Sequence, residues 1–202
     1  MKLTALLLLL ASGAVLAATE EQINKTFPAT AGGKLVVDVS FGELDVTANG
    51  VANEISVDVW RKITRKTKGE EEQFLQDNPV VFQHEGNTLA IRARNKSSNH
   101  WRDNRRSRYE GKYAIRVPAQ FNAKLNTSGG GITVRDLTGE VNANTSGGGL
   151  RFTGVHGPLI GDTSGGGIHV VDCEGAIRID LNSTRILYTI HLRINKATFV
   201  SD

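Results

Sequence analysis

The pentapeptide Thr-Ser-Gly-Gly-Gly occurs three times, at residues 127–131, 145–149 and 163–167, with a spacing of 18 residues and no insertion. A fixed period of this length implies stacked units, because a unit so short cannot bury its apolar side chains alone. Aligning the copies gives four apolar columns: Ile132, Leu150 and Ile168; Val134, Phe152 and Val170; Leu137, Val155 and Cys173; Val141, Leu159 and Ile177. Mixed columns such as Thr133, Arg151 and His169 lie between them. This is the period-two alternation of strands with one face in a core and one in water. Each unit therefore carries two short strands, one just after the glycines and one over Glu140 to Thr145 and its equivalents.

The repeat residues themselves are Thr127, Gly129, Gly130 and Gly131, then Thr145, Gly147, Gly148 and Gly149, then Thr163, Gly165, Gly166 and Gly167. A corner repeated at every level favours residues without Cβ, both for positive φ and for the close approach of stacked backbones. The expected fold is all-β: a parallel β-solenoid (β-helix) of about three 18-residue coils, spaced by ~4.8 Å. A strand-rich N-terminal portion with one short helix precedes it. There the alternation runs through residues 34–39, 42–46 and 54–60. Residues 68–78 break it with early acids, a Phe-Leu pair and a closing Asn-Pro, which predicts the helix. Strands are expected again at 79–83, 88–93 and 112–117.

The first residues have the order of a secretory signal: Met1-Lys2, an apolar run from Leu3 to Leu16, then small residues before Thr19-Glu20. The run is shorter than the ~20 residues a spanning helix needs. The expected organisation is a signal peptide over 1–17, the strand-rich portion over 18–119, the repeats over 120–180, and a distinct tail over 181–202. A fourth glycine corner is due near residue 181, but the sequence there is LNSTR, so the tail reads either as a cap over the open end or as a truncated stack. Export implies the periplasm, the cell surface or the medium, with no membrane span in the mature chain. Cys173 is the single cysteine, so no intramolecular disulfide can form. The formal net charge is +3, and removing residues 1–17 takes away Lys2 and no acid, leaving +2. That balance is too mild to imply a nucleic-acid partner.

Together with Ser40-Phe41-Gly42-Glu43-Leu44-Asp45-Val46 and the helix at 68–78, the repeat resembles the bacterial putative-adhesin family of domains of unknown function. The resemblance covers residues 32–175. It implies an exported β-domain continuing into a β-helix, and a non-catalytic binding or structural role at the cell envelope or surface. Some relatives are linked to envelope-stress responses, which would make the partner another protein. The resemblance brings no catalytic residues with it.

Specific chemistries can be tested against the columns. A calcium β-roll needs an Asp soon after each glycine group, but Gly129-Gly130-Gly131 leads into Ile132-Thr133-Val134. Asp136 and Asp172 share a column with Gly154 between them, two units or ~9.6 Å apart, near the separation used by inverting glycosidases. They carry the alternative of an enzyme acting on acidic polysaccharide, against the simpler role of Asp at a turn. Asn126, Asn144, Asp162 and Asp180 form a column read as a hydrogen-bonded ladder. The five histidines share no column, so no metal site is expected, and no cofactor. Cys173 shares an apolar column, which marks a buried thiol.

The polar insertion is the candidate binding site. Residues 92–112 hold Arg92, Arg94, Lys96, Arg102, Arg105, Arg106, Arg108 and Lys112 against Asp103 and Glu110, with His100, Trp101 and Tyr109 among them. Guanidinium groups pair with phosphate or carboxylate and indoles stack on flat rings, so Arg102, Arg105, Arg106, Arg108, Trp101 and Tyr109 are the expected contacts. The expected partner is an anionic envelope polymer, a polysaccharide or another envelope protein.

Overall fold

The computed structural model describes residues 18–48, 53–94, 108–181, 189–192 and 196–200. The signal-like segment at 1–17 and most of the basic insertion, including Trp101, Arg102, Arg105 and Arg106, lie outside them.

The repeats show how sequence period becomes pairing register. Each contributes one strand to each of two layers. Strands β8 (Phe121–Thr127), β10 (Val141–Thr145), β12 (Leu159–Thr163) and β14 (Ala176–Leu181) run parallel in one sheet. Strands β9 (Ile132–Arg135), β11 (Leu150–Thr153) and β13 (Ile168–Cys173) run parallel in the other. Neighbours pair one period apart, as Val141↔Leu159 and Leu150↔Ile168. All twelve residues of the four apolar columns are buried.

The same two sheets continue into the earlier strands. β2 (Gly33–Val39) pairs with β8, and β3 (Glu43–Ala48) pairs with β9. β6 (Thr88–Ala93) and β5 (Val81–Glu85) extend the first sheet beyond β2. β7 (Arg108–Val117), β4 (Glu54–Thr64) and β1 (Thr19–Pro28) extend the second beyond β3. At the other end, β15 (Thr189–Leu192) and β16 (Lys196–Val200) add one parallel strand to each sheet. Each sheet thus has eight strands.

This corrects the expected fold class. The chain is a sandwich of two mixed sheets, not a parallel β-solenoid of 18-residue coils. Pairing is antiparallel at β1–β4, β4–β7 and β5–β6 and parallel elsewhere. The physical reason is that each repeat supplies only two short strands. Their inner faces pack on each other as two layers, and the return corner between them carries only single-residue parallel bridges such as Thr138↔His156 and His156↔Glu174, not a third strand.

The glycine corners hold for one of the two expected reasons. None of the glycines in the three triads has positive φ. Close approach is the constraint: a Cβ on Gly130 would lie 2.1 Å from Gly42 O, and one on Gly148 would lie 2.3 Å from the carbonyl carbon of Gly130. The threonines close the same stack. Thr127, Thr145 and Thr163 are buried, and their hydroxyls donate to the carbonyls of Gly42 (3.2 Å), Gly130 (2.7 Å) and Gly148 (2.6 Å). Gly42 of the Ser-Phe-Gly-Glu segment thereby forms the first level of the corner stack.

Helix α1 (Lys68–Asp77) links β4 in one sheet to β5 in the other. The Thr67 hydroxyl accepts from Glu70 N at its start (3.3 Å), and Asn78 donates to Phe74 O at its end. Phe74 packs with Phe41 and Ile63. Glu71 is buried and accepts from Thr19 N, Thr19 Oγ1 and Arg65 N at 2.7–3.0 Å, tying β1 to the helix. Burial pushes its carboxyl up, but these hydrogen bonds outweigh that and hold it below its usual value. Arg61, 1% exposed, donates to Glu21 (2.6 Å) and to Asn78 O (2.7 Å), so its buried charge is paired. No helix of the described residues is long and apolar enough to cross a membrane.

Cys173 is 1% exposed and burial pushes its thiol pKa up. An unionised, covered thiol is a poor nucleophile. Native protein is therefore expected to resist maleimide labelling that goes to completion in denaturant. Rapid native labelling would contradict the inward placement of this column.

Candidate binding surface

The basic insertion joins β6 in one sheet to β7 in the other, so its two stems leave the same end of the sandwich as the glycine corners. Both stems are fastened. Arg92 donates to Gln83, and Arg94 pairs with Asp38 and donates to Ser128 Oγ (3.4 Å). Arg92 and Arg94 are therefore engaged within the fold.

The structure separates the two described candidates. Arg108 is exposed at the start of β7, whereas Tyr109 is half-buried. The Tyr109 ring lies 4.8 Å from that of Phe74 and 5.5 Å from that of Phe41, and its hydroxyl accepts from Arg65 (2.6 Å). The Arg65 guanidinium lies over Phe74 at 4.7 Å, closing an aromatic cluster at the start of β7. Tyr109 thus anchors the stem of the insertion to α1.

Beside this cluster is a groove of about 350 Å³. It is lined by Gly42, Gly111, Gly129 and Gly130 and by Trp60, Glu43, Glu110 and Lys112, with Tyr109 at its edge. Trp60, Glu110 and Lys112 share the outward parity of their strands, while the Tyr109 ring is turned to the Phe41–Phe74 cluster. Trp60 stands opposite Lys112, and Lys112 opposite Glu43, in the cross-strand register. The Trp60 indole N–H donates to Glu20 (3.3 Å), which also pairs with Lys62 (3.0 Å). Those contacts hold the Glu20 carboxyl below its usual pKa, chiefly through the Lys62 hydrogen bond.

Sequence reading passed over Trp60 because it stands at the end of an alternating run. Its parity was the available signal: Ile55, Val57 and Val59 are buried, so Trp60 falls with Ser56 and Asp58 on the water face. Its partners Lys112 and Glu43 are remote in sequence, and only the pairing brings the three together.

The other candidates resolve as structure. Asp136 and Asp172 have φ of 57° and 51°, the left-handed conformation, with Gly154 at 64° between them. Asp tolerates that conformation well, and both side chains are exposed at corners. The pair is accounted for by turn geometry. In the polar column, Asn144 donates to Asp162 (3.4 Å) and Asp180 pairs with Arg178 (3.0 Å). Among the described residues no group of three or more His, Cys, Asp or Glu side chains could hold a metal ion.

No family model and no curated protein matches the chain. Among solved structures it is similar to a "putative cell adhesion protein" from Clostridium sporogenes, at 11% identity and a TM-score of 0.47, over 80% of this chain and 73% of that one. It is also similar to a "putative adhesin" from Parabacteroides distasonis, at 12% identity and a TM-score of 0.34, over 89% and 77% of the two chains. A third, a "putative adhesin" from Bacteroides fragilis, aligns at 12% identity with a TM-score of 0.32, over 89% and 95%.

Proposed function

We propose that this protein is a non-catalytic, exported binding protein of the bacterial cell envelope or surface, and that its basic insertion engages an anionic envelope polymer. The observation that carries this reading is the charge distribution: eight basic residues against two acidic ones within 92–112, in a chain of net charge +3. Clustering of this kind raises the local potential while the rest of the chain, with 16 basic and 19 acidic residues, is mildly acidic, so a polyanion is drawn to one end of the molecule. The fastened stems support the same reading: Arg94 and Tyr109 tie the two ends of the insertion to the sandwich, and Arg108 is exposed beside them. Export rests on the signal-like order of residues 1–17.

Binding to lipopolysaccharide, acidic polysaccharide and anionic vesicles should be measured over a salt series. The mature chain is compared with a variant carrying Arg102→Ser, Arg105→Ser, Arg106→Ser and Arg108→Ser. At 0.15 M salt the Debye length is ~8 Å, so contacts through exposed charges weaken steeply as salt rises. The parent is expected to bind at least one polyanion at low salt, with the variant at least tenfold weaker. Equal binding by both proteins, or none by either at low salt, would reject the insertion as the binding site.

A further inference from the structure

We infer that the groove beside Trp60, over the glycine backbone of Gly42, Gly111, Gly129 and Gly130, is a binding site for one uncharged sugar ring, distinct from the anionic contact proposed for the insertion. Three observations support it independently of the basic charge. The first is shape: a concave space of about 350 Å³ floored by glycine backbone, at the small end of the range that ligand sites occupy. No side chain rises from that floor to fill it.

The second is the aromatic wall. Trp60 is half-buried on the outward parity of its strand, and its N–H is taken up by Glu20. A ring whose edge is already tethered loses little rotational freedom when a ligand packs on it. The axial C–H groups of a pyranose form an apolar patch that matches an aromatic wall.

The third is the polarity of the rim. Glu43 and Glu110 supply acceptors and Lys112 supplies donors around the same space. Two carboxylates against one ammonium disfavour an anion. Neighbouring hydroxyls, which donate and accept in turn, suit a mixed rim. The polymer chemistry that fits the insertion is therefore wrong for the groove, and an uncharged sugar fits it.

The test is a titration of the mature protein with glucose, galactose, mannose, N-acetylglucosamine and their short oligomers, followed by amide shifts in NMR and by calorimetry. A Trp101→Phe background leaves Trp60 as the single tryptophan for fluorescence. At least one sugar is expected to give saturable shifts at Gly42, Gly111 and Gly129, with little change between low and high salt. Trp60→Leu should weaken binding at least tenfold, and so should Glu43→Ala with Lys112→Ala, two exposed changes that keep the fold testable if Trp60→Leu disturbs it. The quadruple Arg→Ser variant should bind the sugar as the parent does. No saturable change with any sugar overturns the inference. Binding indifferent to the Trp60 and rim variants overturns it too, as does binding that disappears with salt and with the arginines.

Discussion

Alanine at position 130 is expected to destabilise the protein severely, while alanine at the adjacent position 129 is tolerated. At Gly130 a new methyl would sit 2.1 Å from Gly42 O and 2.4 Å from Gly42 C, and both obstacles are backbone. Backbone in a parallel ladder cannot step aside without opening the pairing of β3 with β9. The cost belongs at or above the upper end of overpacking, about 3 kcal/mol or more. For a chain of this size that corresponds to a Tm lower by roughly 6–12 °C. At Gly129 the nearest atom to a new methyl is 3.8 Å away, and φ is not positive, so the change should stay within about 0.5 kcal/mol. Thermal melts of the two single variants give the contrast. Equal Tm values would mean that the corners are not stacked at this distance.

Phe152→Ala is expected to cost about 3–5 kcal/mol, the usual range for deleting a fully buried aromatic side chain. Phe152 is fully buried between the two sheets. Gly161 on the facing layer shows how closely the ring is fitted: a Cβ there would meet Phe152 Cε2 at 3.2 Å and Ile179 Cδ1 at the same distance. A large residue thus sits against the smallest one. Truncating the ring leaves a cavity that Gly161 has no side chain to fill. Since domains are stable by only ~5–15 kcal/mol, urea denaturation should show a midpoint shifted far below the parent's. An unchanged midpoint would reverse the assignment of inner and outer faces.

Parts of the candidate surface were legible because they are local. The excess of arginine in 92–112 needs no fold to be seen, and neither does the alternation that buries Ile55, Val57 and Val59. The groove is different in kind. Trp60, Lys112 and Glu43 meet only because β4 pairs with β7 and β7 with β3, and no short-range pattern records a partner across so long a separation. Strand β1 was missed for a related reason. As an edge strand it is half or fully exposed along its whole length, so it lacks the apolar alternation that marks a strand with one covered face.

What the sequence by itself determined is the set of inward residues, the 18-residue register and the presence of a short helix before β5. Each follows from a period, and a period survives in any fold that buries one face. Only the tertiary structure decided that β2 and β3 stack directly onto the repeats, and that antiparallel strands complete both layers into a sandwich. It also decided that the triad glycines are required by close approach while positive φ falls on Asp136, Gly154 and Asp172. The reason is common to all of these. They depend on which backbone lies next to which, and the contacts that settle it join segments far apart in the chain, where local sequence carries no record of the neighbour.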